Sequence, residues 1–168
     1  MNDQQTWVRA VRAAHDIYDQ LSPEKRAGID TLIDRVMELK EDLVEQTLSA
    51  GSSSICRSCG GRCCLNGKYH VSVLDLLAYR ITDTEPVVPD FSAHPACPYG
   101  RENGCLMPPR FRPMTCVVFN CDLIEERMNV AERSSLAECE QLLRKTIAQA
   151  NRLAGFRLDR SLLLSCEA

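Results

Sequence analysis

Eight of the ten cysteines lie between residues 56 and 121, and seven of the eight prolines fall within 82–114. Proline lacks an amide donor and clashes with the preceding helical turn, so no long helix can run through 82–114. A structureless stretch of that length is unusual in a compact domain unless it is functional. Thiols supply a source of order. Cys56-Arg57-Ser58-Cys59-Gly60-Gly61-Arg62-Cys63-Cys64 places thiolates two or three residues apart, and Cys97, Cys105, Cys116 and Cys121 follow. Thiolates at such spacings on a tight loop converge on one point, as a soft-ligand metal or an iron–sulfur cluster requires.

Within the first cluster, Cys56-x2-Cys59 reads as a two-thiolate knuckle, and Gly60-Gly61 lets the chain turn back toward Cys63 without a side-chain clash. Glycine also frees backbone N–H groups to point at sulfur. Cys63 and Cys64 are adjacent, and neighbouring side chains diverge in both helix and strand. Either they serve different metal atoms or only one ligates, Cys64 being favoured, while the other packs as a small apolar group. The eight thiols suffice for two four-coordinate sites, or for one cluster with spares. His70 and His94 flank the thiols as alternative ligands or proton carriers.

Several familiar arrangements are excluded. The chain has no Cys-x2-Cys-x2-Cys-x3-Cys-Pro ferredoxin run and no second Cys-x2-Cys of a zinc ribbon. Gly60-Gly61 lacks the strand and third glycine of a nucleotide loop. No Ser/His/Asp set or paired catalytic carboxylates can be picked out, so the sequence leaves open whether the protein is an enzyme.

The flanks read as helix. Val8, Val11, Ala14, Tyr18 and Leu21 form a three-and-four stripe over 6–21. Ser22-Pro23 then caps a second helix whose stripe, Ile29, Ile33, Val36 and Leu43, runs to about residue 48. These two are expected to form a hairpin with Trp7 packed inside it and His15 structural, and 50–54 is expected to be a flexible stop. Residues 68–71 suggest a short extended piece. Ser72 and Asp75 cap a helix over 73–81, and one or two helical turns bearing Cys116 are expected over 114–120. Leu136, Cys139, Leu143, Ile147, Ala150 and Ala154 share a face of a last helix ending near Gly155. Cys139 is therefore a core thiol rather than a ligand, and Cys166 a terminal spare. Residues 156–166 are ambiguous between strand and helix.

The expectation is a mainly α, single small domain over 1–168: a helical hairpin at 1–50, a loop-rich, metal-stapled cysteine core at 56–121, and helices at 122–168. The N-terminus lacks the pattern of a signal peptide, and no run approaches the roughly 18 apolar residues of a membrane span. A cytoplasmic protein is expected, in which thiols serve metal or redox chemistry rather than structural disulfides. The formal charge is −3, yet 56–121 carries seven bases against five acids. Arg57, Arg62, Lys68, Arg101, Arg110 and Arg112 lie close in sequence to thiols that would be anionic when metallated. Nucleic-acid binding would need a denser basic stripe with aromatics between the charges. Glu38, Glu41, Glu45, Glu125 and Glu126 read as solvated helix faces.

The middle of the chain resembles the YkgJ-like cysteine-cluster family, described as zinc- or iron-chelating. The resemblance covers roughly 56–121 and rests on the first cluster together with Cys97-Pro98-Tyr99, Gly104-Cys105 and Arg112-Pro113-Met114-Thr115-Cys116. It implies ligands from both clusters, Cys56, Cys59, Cys63, Cys64, Cys97, Cys105, Cys116 and Cys121, around one metal centre. Residues 106–111, Leu-Met-Pro-Pro-Arg-Phe, are richer in proline than the family's usual stretch. The family includes proteins resembling flagellin lysine methylases, thought to carry an iron–sulfur cluster, but no methyl-donor site is evident here. Three functions follow as expectations: an iron–sulfur or zinc protein serving electron transfer or an unidentified reaction, a structural zinc module that binds a protein partner, and a thiol redox or metal-delivery protein using Cys63-Cys64.

Overall fold

The computed structural model describes residues 2–59, 64–65, 67–93, 96–101 and 104–164, the side chain of Cys59 excepted. The chain is mostly helical. Seven α-helices, α1 (Asp3–Asp19), α2 (Pro23–Ser49), α3 (Ser52–Cys59), α4 (Val73–Ile81), α5 (Met114–Val118), α6 (Asp122–Glu125) and α7 (Val130–Ala154), are joined by short 3-10 turns and one two-stranded ribbon among the described residues.

The long helices start where side chains can satisfy their first amides. Asn2 and Gln5 cap α1 reciprocally, as Asn129 and Glu132 cap α7, and Ser22 caps α2 ahead of Pro23. Gly155, at φ +86°, ends α7 in the left-handed conformation that glycine adopts without a Cβ penalty. Gly51, also at φ +86°, lets the chain leave α2 and begin α3 at the next residue.

α2 and α7 pair antiparallel. A Cβ on Gly28 would lie 2.7 Å from Leu153 Cδ2, and further along the pair the Cys139 thiol donates to the Leu39 carbonyl at 3.6 Å. Ile29, Ile33, Val36 and Leu43 of α2 are buried together with Leu143, Ile147 and Ala150 of α7 in one core. Cys139 is half-buried against that core, as its place on the apolar face of α7 predicts.

The expected hairpin of the first two helices is corrected: α1 packs chiefly on α4, and α2 chiefly on α7. Trp7 lies beside Tyr99 of the cysteine segment rather than inside a hairpin. The reason is that α4 is apolar on almost every side, with Val73, Leu74, Leu76, Leu77, Ala78 and Tyr79 all buried, and so needs cover from more than one helix.

Residues 52–54, expected to be part of a flexible stop, form the first turn of α3. The piece expected to be extended begins as a 3-10 turn, Gly67–Tyr69, and becomes extended only where Ser72 bridges Ser161. Residues 156–164 are neither a regular strand nor a helix. They lace onto the start of α4, with Leu162 N–H donating to Val71 and Leu74 N–H donating to Leu158. Val130–Ala154 also begins earlier than its apolar stripe, because the first turn is exposed and is specified by its cap.

The proline-rich segment is held by packing. Phe111 stacks on Tyr79 with ring centroids 3.9 Å apart, and Arg110 forms a two-pronged ion pair with Glu41 at 2.8 and 2.9 Å. Glu41, expected as a solvated acid, keeps solvent access but is also paired, and it ties the Pro109–Phe111 turn to α2. No helix among the described residues is long and apolar enough to cross a membrane.

Candidate metal centre

Each cysteine-bearing segment is placed by a local device. α3 carries Cys56 in its middle and ends at Cys59, so the first knuckle starts on a helix rather than on a loop. Cys64 is exposed just after it. Cys63, like Gly60, Gly61, Arg62, His94 and Cys166, lies outside the described residues.

Cys97 sits against the backbone of residue 67, and this explains the glycine there. A Cβ on Gly67 would fall 2.5 Å from Cys97 Sγ and 2.9 Å from its Cβ, closer than atoms can approach. The chain then turns through Pro98, with the Gly100 N–H donating to the Cys97 carbonyl at 2.9 Å. Burial pushes the Cys97 thiol up, while hydrogen bonds from the Tyr99 and Gly100 amides to the sulfur pull it down. Amides aimed at sulfur favour a thiolate, and expected of the Gly60-Gly61 turn, they are found at Cys97.

Cys105 lies on an antiparallel ribbon, β1 (Gly100–Arg101) paired with β2 (Gly104–Cys105), with Gly100 opposite Cys105. Gly104 takes φ +119°, open to glycine and costly for other residues. The ribbon therefore carries Cys105 back to the Cys97 turn.

Cys116 lies in α5, which follows Pro113 directly. Its Sγ stands 3.4 Å from His70 Nδ1. Cys116 retains solvent access, yet the protein around its sulfur is dense, and the density governs its charge. Burial pushes this thiol strongly up, and negative charge on Cys105, Cys97, Cys64 and Asp75 would push it further. Thiols from four separate segments thus share one electrostatic neighbourhood. Burial also holds His70 below its ordinary value of 6.5, favouring the neutral ring.

Cys121 occupies the N-cap position of α6, with its side chain capping nothing. α3 packs against both α6 and β2, which brings the helix of Cys56 beside the segments of Cys121 and Cys105. Among the described residues, no three His, Cys, Asp or Glu side chains gather closely enough to hold a metal ion. Among the described residues the fold thus brings the segments together without closing three donors on a point.

Four of the six basic side chains expected near the thiols make contacts with other groups. Arg110 binds Glu41, Arg112 donates to the Met107 carbonyl, Arg101 donates to the Gly100 carbonyl, and Lys68 pairs with Asp3 at 2.7 Å.

A feature not foreseen from sequence lies behind His70. Lys40 and Asp75 form an ion pair at 2.5 Å with side-chain exposures of 0% and 2%. The second oxygen of Asp75 accepts from the Ser72 amide at 2.8 Å and the Ser72 hydroxyl at 2.7 Å. Beside them is a cavity of about 40 Å³ lined by Lys40, His70, Ser72, Asp75, Thr115 and Asp159, among others. That volume and lining suit one or a few water molecules, each of which needs roughly 10–15 Å³ by the same measure. One signal is present in the sequence. Lys40 falls within the buried run of α2, beside Leu39 and ahead of Leu43 and Val44, where an unpaired ammonium would be costly.

Compared with family models, with curated proteins and with solved structures, the chain matches none.

Proposed function

We propose that this protein binds metal through its cysteine thiolates, holding an iron–sulfur cluster or zinc, and that the YkgJ-like resemblance reflects this role. One observation carries the reading: segments spread over more than 50 residues bring Cys64, Cys97 and Cys105 near enough to Cys116 for their charge to bear on it, with the Cys97 turn closed against Gly67 and Cys105 paired back to Gly100. Holding several groups that repel one another when ionised close together is unfavourable unless a cation compensates them. Thiols pushed up by burial remain protonated in the empty protein, and metal would displace those protons as it binds. The amides directed at Cys97 Sγ support the same reading. Cys56, Cys59, Cys63 and Cys121 supply further thiolates from adjoining segments, enough for a cluster or a second ion. A reducing, cytoplasmic setting belongs to this proposal, since it keeps the thiols available.

The test is to purify the protein without oxygen, measure iron, zinc and acid-labile sulfide per chain, and record the visible spectrum. Iron with matching sulfide and a broad charge-transfer band supports a cluster and directs attention to electron transfer. Tightly held zinc with no colour supports a closed structural site that fixes the fold. A protein that takes up neither metal, with its thiols reduced, refutes the proposal.

A further inference from the structure

We infer that His70 is a ligand of the proposed metal centre, donating Nδ1 beside the Cys116 thiolate in a mixed nitrogen–sulfur site. The inference rests on the metal reading above and specifies the donor set it leaves open.

Geometry is the first support. A sulfur about 2.3 Å and a nitrogen about 2.05 Å from a tetrahedral metal lie roughly 3.6 Å apart. The Cys116 Sγ to His70 Nδ1 separation is 3.4 Å, between residues 46 apart in the chain. Without metal the two are joined by a hydrogen bond whose direction follows the tautomer of His70, and a ligating Nδ1 requires the ring proton on Nε2. Metal entry displaces the Cys116 thiol proton to solvent, and the sulfur and the unprotonated Nδ1 both turn their lone pairs to the ion.

The position of His70 is also built. Its amide donates to the Gly67 carbonyl at 3.1 Å, closing the turn whose glycine lies against Cys97. One tight turn therefore brings Cys97 and His70 to the same corner. His70 also lines the small cavity, whose polar groups come from Lys40, Ser72, Asp75, Thr115 and Asp159. A ligating imidazole needs a partner for its other nitrogen, and a carboxylate or a water in such a cavity is the usual one. The other coordination positions fall to thiolates among Cys64, Cys97 and Cys105, the groups whose charge acts on Cys116. No third donor stands at ligand distance among the described residues, so metal entry has to draw these thiols inward.

The test loads the full-length protein with Zn²⁺ alone and records X-ray absorption at the zinc edge for the wild type, His70→Ala and His94→Ala. The expected wild-type spectrum has a nitrogen shell at about 2.0–2.1 Å with imidazole scattering, beside sulfur at about 2.3 Å. His70→Ala should lose the nitrogen shell and weaken zinc affinity by at least the roughly 10–100-fold that loss of an outer-shell partner costs. His94→Ala should change neither. An all-sulfur wild-type spectrum, or loss of the nitrogen shell in His94→Ala only, overturns the inference and leaves the metal centre standing. If the wild type binds neither zinc nor iron, the metal reading falls and the inference with it. Should His70→Ala fail to fold, the wild-type spectrum and His94→Ala still decide.

Discussion

Breaking the buried ion pair between Lys40 and Asp75 should destabilise the protein more than any loss of a surface charge pair. Both side chains are essentially inaccessible to bulk solvent, so removing one partner leaves the other charged and desolvated except for what the small adjoining cavity can hold. The two single variants are not equivalent. In Lys40→Met the aliphatic stem is largely replaced, and the Asp75 carboxylate keeps its two bonds from Ser72 at 2.8 and 2.7 Å. With those bonds kept, the cost should be near the lower end of the range for broken buried pairs, about 3 kcal/mol. Asp75→Asn leaves an ammonium with 0% exposure and no anion beside it, and should cost about 5 kcal/mol. In the double variant neither charge remains, and the side-chain amide oxygen introduced by Asp75→Asn can still accept from the Ser72 amide. It should be no less stable than Asp75→Asn alone, which corresponds to a coupling of about 3 kcal/mol. Urea unfolding at neutral pH under reducing conditions gives all four free energies, provided the m-value is unchanged across the set. Additive losses, or a Lys40→Met variant within about 0.5 kcal/mol of the wild type, would refute the argument that an uncompensated buried charge governs this region.

Gly67→Ala should disturb the cysteine core specifically: its new methyl would lie 2.5 Å from Cys97 Sγ, and the overlap should cost about 1–3 kcal/mol and weaken metal uptake, read by chemical unfolding and by bound metal per chain. Cys139→Ala should leave metal content unchanged, because this thiol lies against the α2–α7 core and donates to Leu39; a drop in bound metal would show the assignment to be wrong. His15 should make folding pH-dependent, since burial, aided by Arg80 and opposed by Asp19 and Asp16, lowers its folded pKa below 6.5. The unfolded chain then binds the proton first, so the contribution is intact above pH 6.5 and is lost as pH falls toward the folded value. His15→Gln should flatten the part of the stability profile below pH 6.5, leaving the share that His70 contributes in the same direction, and an unchanged slope would count against it.

Local signals locate most helices correctly. Ser22-Pro23, the Ser72–Asp75 box and Gly155 act within one turn of backbone, so they work wherever the helix is later packed. The start of α7 escapes a reading by periodicity because its first turn is exposed and carries no apolar stripe, although Asn129 and Glu132 give its cap. α3 escapes it too, because Ser52-Ser53-Ser54 has weak helical preference and is ordered by packing on β2 and α6. The cysteine spacings point to the candidate site, but spacing along a chain does not fix which sulfurs approach one another.

Composition and periodicity are therefore enough to specify a mostly helical chain with a proline-interrupted, thiol-rich middle, because capping, helical stripes and the missing proline amide are properties of near neighbours. Partner choice is not local. That α1 lies on α4 and α2 on α7 depends on which apolar faces fit, and α4 is apolar on nearly all sides. Likewise, the meeting of His70 with Cys116, and of Lys40 with Asp75, requires segments 46 and 35 residues apart to be brought together by the whole fold. Such contacts leave no period in the sequence, since each is a single polar pair whose free energy depends on the water excluded around it.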